Sequence, residues 1–393
     1  MTIRTLLYAL MATTAIGGTL AVPASAQTTP APSPINPNPV TVTPASPNQA
    51  QVQAPAPAAP QAIPTQLDAV TTAAMRSRRP LEDVPATVSV ITTEDIDREN
   101  MQDVRDLVRN EPGVTVGNNP TRAGFQNFII RGIGGNRVLL MVDGMRQPDF
   151  PDSNMGAGTY TREQPDLEDI KRVEIIRGPA SALYGSDAIG GVVAYITKDP
   201  GDYLKEGKNI YGSVKAAYSG ANLQFAETFT GAVRAGNFEF MGMYTRRDGH
   251  EYTPAQSSIA PNPTSFYSND FFAKAVFRPT EVDTIRVTGS YTQGKQSTQV
   301  LSGTGTFPAL FARVFDEWGQ DYTNTYRISA QWQHDAPIGF IDNLSLLAYF
   351  NSVYMQADTY QLRGATNGAV PSNARTSQFY YTQNVWGGEL QMH

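Results

Sequence analysis

The stretch FIIRGIGGNRVLLMVDGMRQPD, residues 128–149, sets Gly132, Gly134 and Gly135 close together in a pattern that could cradle a phosphate. A dinucleotide loop needs a third glycine after a further x-x, and then a helix whose N-terminus receives the pyrophosphate. Arg137 stands where that third glycine should be, and the apolar run RVLLMVDG follows, closing on the turn dipeptide Asp143-Gly144. Such a run reads as a strand. The glycines are therefore predicted to shape a turn between two strands, with no nucleotide bound.

Other residues able to do chemistry are few. Cysteine is absent, so disulfides and thiolate metal sites are excluded, and no metal site is predicted. Acidic pairs such as Asp166 with Glu168 and Asp169 fall near helix starts, where capping accounts for them, and no enzyme is predicted. The three histidines are His250, His334 and His393, so none lies in residues 67–200. Two polar, glycine-containing loops, 117–127 and 149–165, carry Phe125, Phe150, Met155 and Tyr160. Apolar and aromatic side chains in solvated loops suit either a ligand-contacting surface or loop anchoring. His250, in RRDGHEYTP, is either an extracellular ligand or a plain surface residue.

The elements that must position these residues follow a clear order. Residues 1–26 read as a secretory signal peptide: Arg4, an apolar run, then Ala24-Ser25-Ala26. Residues 27–66 carry no charge and are dominated by Pro, Ala, Gln and Thr, the composition of an extended linker that cannot bury a core. With a net charge of −6 and no basic cluster, no nucleic-acid partner is expected. Residues 75–200 read as a compact α+β domain. A short helix in TTEDIDREN takes Thr93 as N-cap, and a second, in NMQDVRDLVRNEPGV, takes Asn100.

From residue 207 onward the texture changes to strict alternation. YRISAQWQ sets Tyr326, Ile328, Ala330 and Trp332 on one face and Arg327, Ser329, Gln331 and Gln333 on the other. Polar residues on alternate positions with aromatics near strand ends are the pattern of a transmembrane antiparallel β-barrel with a wet interior. About eight strands are expected, around 208–219, 222–235, 237–248, 268–278, 282–293, 322–334, 343–356 and 376–393. A barrel that holds a domain in its lumen needs more strands than these, so the chain is expected to contain only the first part of one.

The motifs PATVSVIT, VRDLVRNEPGV, IRGIGGNRVLLMVDGMRQPD and VEIIRGPASALYGSDAIGGVVAYITK resemble the plug domain of the TonB-dependent outer-membrane receptors. GGNRVLLMVDGMRQPD is most similar to the haem and haemoglobin receptor branch. The resemblance implies an α+β plug inside a 22-stranded barrel in the outer membrane, working as a monomer. It implies energy-coupled uptake of haem or haem from haemoproteins, with siderophore-iron or cobalamin uptake as alternatives and a passive porin as a remoter one. The haem or ferric complex would be cargo, with no resident cofactor, and the partners would be the TonB energy-transducing protein and outer-membrane lipid. A TonB box maps to residues 67–74, including Leu67, Asp68, Ala69, Val70 and Thr71. The family's plug arginines, set against barrel glutamates, map to Arg131 and Arg177, with Glu389 as candidate partner. Relatives hold haem with a plug histidine and a loop histidine; with no histidine in the plug, Tyr160 or His250 would serve here, or a ligand beyond residue 393 would.

Overall fold

A computed structural model of the chain describes residues 70–71, 79–80, 87–119, 122, 124–149, 151, 162–253, 260–307, 312–339 and 341–392. The signal peptide, the linker, Leu67, Asp68, Ala69 and the remainder of the box after Thr71 lie outside these residues. Within it, Val70–Thr71 (β1) pairs antiparallel with Arg79–Pro80 (β2), setting Val70 opposite Pro80.

The plug is built on five strands in the order β3-β8-β9-β6-β7: Thr87–Thr92 (β3), Val138–Val142 (β6), Met145–Arg146 (β7), Ile170–Arg177 (β8) and Gly191–Thr197 (β9). Val114–Asn119 (β4) and Gly124–Ile130 (β5) form a separate hairpin. β6 is buried at all its positions because apolar residues cover both faces of the sheet. Leu140 and Val142 pack with Ile91, Leu107, Phe128 and Val193 on one side, and Leu139 and Met141 with Ile176 and Val192 on the other. Asp143 and Gly144 both take positive φ, 47° and 80°, the conformation of a two-residue hairpin turn that suits an Asp-Gly pair. Gly135–Arg137 makes only a single 3-10 turn before β6, so no helix follows the glycines and the phosphate-loop reading is excluded.

Two helix starts differ from the sequence expectation. Thr93–Arg98 (α1) is capped by Thr92, whose side chain and that of Asp95 satisfy each other's backbone N–H groups. Val104–Val108 (α2) is capped by Asp103, which accepts from the N–H groups of Arg105 and Asp106. Asn100 instead takes φ 48° in the turn after α1, a conformation asparagine tolerates.

The wall is a meander of antiparallel strands: Ile210–Ser219 (β10), Gln224–Ala235 (β11), Phe238–His250 (β12), Thr264–Phe277 (β13), Asp283–Gln299 (β14), Gly305–Phe307 (β15), Ala312–His334 (β16), Leu344–Gly364 (β17) and Asn373–Met392 (β18). Consecutive strands pair in order, except that the short β15 pairs back onto β16 and lies off the path. The expected strands are all present, and several run further at the long-loop end than the alternation indicated. The patterning is inverted relative to a water-soluble sheet. Tyr326 and Ile328 are 50% and 55% exposed while Arg327 and Ser329 are 5% and 6%, so the apolar face looks outward.

Two outward rows of large side chains lie on this apolar face. Phe238, Phe277, Ile285 and Trp332 are register neighbours near the short turns, and Phe229, Tyr244, Phe271, Tyr291 and Tyr326 form a second row across five strands. Neighbouring rings in the second row lie 4.7–6.4 Å apart. Phe238 and Tyr244 are separated along one strand by about 20 Å at ~3.4 Å per residue, roughly 15 Å of height at the usual strand tilt, so both rows fit within the apolar band of an outer-membrane barrel. No helix among the described residues is long and apolar enough to cross a membrane.

Candidate functional site

The plug and the wall meet through charged and polar side chains arranged at successive heights. Nearest the short turns, the Lys274 ammonium on β13 donates to Thr197 Oγ1 at 2.5 Å and Asp199 Oδ1 at 3.1 Å, and lies 3.4 Å from Asp143 Oδ2. The hairpin turn after β6 places the Asp143 carboxylate there, where it also accepts from the Thr197 N–H at 2.9 Å. Higher up, Asp166 begins the 3-10 turn before β8, accepts from the Glu168 N–H, and takes both arms of the Arg247 guanidinium at 2.7 Å. Burial disfavours its ionised form, yet Arg247 and the Glu168 N–H together hold its pKa below the ordinary value. Arg327 on β16 donates to Gln147 Oε1 at 2.8 Å.

Beside them Asp169 of the plug faces Asp270 of the wall. Each is 3% exposed, and each has a carboxyl oxygen with no hydrogen-bond partner. Burial, followed by the charges of Asp270 and Asp166, pushes the Asp169 carboxyl well above its ordinary range. Glu163 is pushed up to about 7, chiefly by burial, with Arg327 and a hydrogen bond to Thr323 opposing.

These raised values set the sign of a pH dependence. A carboxyl with a folded pKa above its unfolded one contributes stability that is complete below the unfolded value and is lost as pH rises through the folded value. Plug stability is therefore expected to fall between pH 5 and pH 8, by on the order of 1–3 kcal/mol from Glu163, whose partial exposure reduces the full linkage value. Urea unfolding of the plug at both pH values checks this. Glu163→Gln should flatten the dependence, and an unchanged slope in that variant would contradict the assignment.

At the long-loop end, the tip of the β4–β5 hairpin reaches the wall through Arg122. Its guanidinium binds Asp321 with two contacts of 2.7 Å and donates to Thr359 Oγ1 at 2.8 Å. A cavity of about 200 Å³ opens beside it, lined by Arg122, Glu163, Gln296, Asp321, Thr323 and Met355 among others.

The sequence-predicted residues are placed as follows. Phe150, Met155 and Tyr160 lie outside the described residues, and Phe125 sits in β5 opposite Asn118. His250 is the last residue of β12, where a loop was expected. It is exposed and shares the outward parity of Phe238 and Phe240, so it is directed away from the lumen. Its backbone is fixed by register with Ser265 and by donation to Asn222 O at 2.9 Å.

The residues assigned to the plug–wall lock are placed as follows. Arg177 is held within the plug, donating to Pro112 O at 2.8 Å and Ser89 Oγ at 2.6 Å with Glu111 at 3.7 Å. Arg131 is exposed at φ 49°, its N–H donating to Gly113 O. Glu389 has the lumen-side parity expected of it and accepts from Gln391 on the same strand. The charged ties described above run mostly the other way, from cations on the wall (Lys274, Arg247) to acids on the plug (Asp143, Asp199, Asp166). The sequence shows only the wall half of each tie. A lysine or arginine at a lumen position of a barrel strand, as in FFAKAVF, must find an acid when a domain fills the lumen.

Comparison with known proteins agrees with this architecture. The family model of the TonB-dependent receptor plug domain matches residues 80–192. Hemoglobin and hemoglobin-haptoglobin-binding protein B of Haemophilus influenzae is 37% identical over 180 residues, 44% of this chain and 17% of that protein. Hemoglobin-binding protein A of the same organism is 31% identical over 281 residues, 66% of this chain and 27% of that protein. The chain thus spans about a quarter or less of the length of these relatives. The ferripyoverdine receptor of the outer membrane of Pseudomonas aeruginosa superposes with a TM-score of 0.50 at 14% identity, over 83% of this chain and 55% of that one, a likeness of fold. A plug of this family followed by a wall with an apolar outer face defines an outer-membrane β-barrel receptor. Residues 80–192 are a plug domain of the TonB-dependent receptor family.

Proposed function

We propose that this chain is the plug and first wall strands of a receptor that takes up haem iron, delivered by a haemoprotein such as haemoglobin, with energy supplied by a TonB-type transducer. The observation that carries the ligand reading is the identity of 37% and 31% to proteins named for binding hemoglobin. The charged and polar plug–wall contact supports the transport reading. Discrete charged ties can be released one at a time, whereas a continuous apolar plug–wall interface would have to part as a unit. Val70–Thr71, already extended and paired in a short ladder, supports the coupling reading, since a strand of that kind can exchange its partner for the edge of another protein's sheet.

Iron porphyrin in this receptor is gripped by aromatic loop residues, with Tyr160 as the axial oxygen donor. His250, on the outward face, takes no part. Titration of the receptor with haemin, following the Soret band, tests this assignment. Tyr160→Phe is expected to weaken binding at least about tenfold (~1.4 kcal/mol) and to move the band, while His250→Ala leaves both within about twofold. An unchanged band in Tyr160→Phe would remove Tyr160 as the donor. Absence of any Soret shift in the unmodified receptor would remove haem as the ligand.

A further inference from the structure

Arg122 makes more contacts with the wall than its place at a hairpin tip would lead one to expect. It is 5% exposed, although it lies between β4 and β5 in a polar loop. Its guanidinium binds both Asp321 oxygens, Thr359 Oγ1 at 2.8 Å, Asp358 O at 2.7 Å and Gln320 O at 3.2 Å. Its own carbonyl accepts from Gln296 Nε2 at 2.6 Å. One plug residue thereby bridges β14, β16 and β17.

The wall is shaped to admit it. Gly319 lies two residues before Asp321 on β16, with its Cα position facing the same guanidinium. A Cβ there would stand 2.3 Å from Arg122 Nε and 2.4 Å from Cζ, so the guanidinium would have to leave its place. Gly319 takes an ordinary φ, so the absence of a side chain serves the arginine rather than the backbone.

We infer that Arg122 is a positioning residue: seated in a socket made by Gly319, Asp321, Thr359 and the Asp358 carbonyl, it fixes the tip of the β4–β5 hairpin to the long-loop end of the wall and so sets where that end of the hairpin stands. The guanidinium is planar and always charged, and a bidentate carboxylate with further acceptors around it satisfies most of its donors, so the joint is both buried and directional. A ligand meeting the hairpin then meets a preorganised surface and does not have to order it. This role rests on the ligand reading above, while the joint itself does not.

The test uses two variants that break the joint from opposite sides, Arg122→Ala on the plug and Gly319→Ala on the wall, with Arg122→Lys as the conservative replacement. In the receptor purified in detergent, amides of residues 114–130 are expected to exchange hydrogen about tenfold faster in both alanine variants, with β6, β8 and β9 unchanged. Haemoglobin affinity should fall about tenfold in each, no further in the double variant, and recover partly with lysine. Unchanged exchange in both variants would overturn the joint. Faster exchange with unaltered affinity would overturn the positioning role. Failure of the unmodified receptor to bind haemoglobin would refute the proposed ligand, and the exchange result would still decide whether Arg122 holds the hairpin.

Discussion

Replacing Val70 by proline is expected to abolish energy-coupled uptake while leaving ligand affinity within about twofold. Val70 lies in β1, opposite Pro80 of β2, so it already has the extended backbone a sheet edge requires. Proline at this position removes one strand donor and blocks ladder formation on that side. The ligand contact proposed above, at Tyr160, does not include this segment, so binding should be indifferent to the change. Uptake and binding assayed on the same cells check both halves, and normal uptake by Val70→Pro would remove this segment from the coupling path.

The second large effect is expected at the Asp166–Arg247 pair. Their side chains are 8% and 11% exposed and meet through two contacts of 2.7 Å. Asp166→Ala leaves the Arg247 guanidinium buried against the plug without its carboxylate. Breaking a buried pair from one side costs about 3–5 kcal/mol, whereas removing both partners costs much less, because no uncompensated charge is left. Urea unfolding of the plug should therefore show a large loss for Asp166→Ala and for Arg247→Ala, and a double variant well short of the sum. Strict additivity would show that the pair does not tie plug to wall.

Much of this architecture is legible in the amino-acid sequence. The apolar run of β6 with its Asp-Gly turn, the strand alternation and the inside-out face of YRISAQWQ all follow from local periodicity, and local periodicity is what a single sequence displays. Helix caps were misplaced by one to three residues, because Thr92 and Thr93, or Asn100 and Asp103, are chemically competent neighbours and only the folded backbone decides between them. His250 was read as a loop residue because its loop signal, Asp248-Gly249, lies inside β12, where pairing with β13 overrides turn propensity. The plug–wall ties were the least legible. Asp166 and Arg247 are far apart in sequence, and their pairing depends on which wall strand faces which plug turn, a fact of topology that no local pattern carries. Arg122 and Gly319 were missed for the same reason.

Accumulation of haem iron from haemoglobin by iron-starved cells that carry this receptor as their sole route tests the account most directly. The predicted result is uptake from haemoglobin that stops when the proton-motive force is dissipated and is absent in Val70→Pro cells. Uptake that persists without the proton-motive force, or cells that draw iron only from a ferric siderophore, would contradict it.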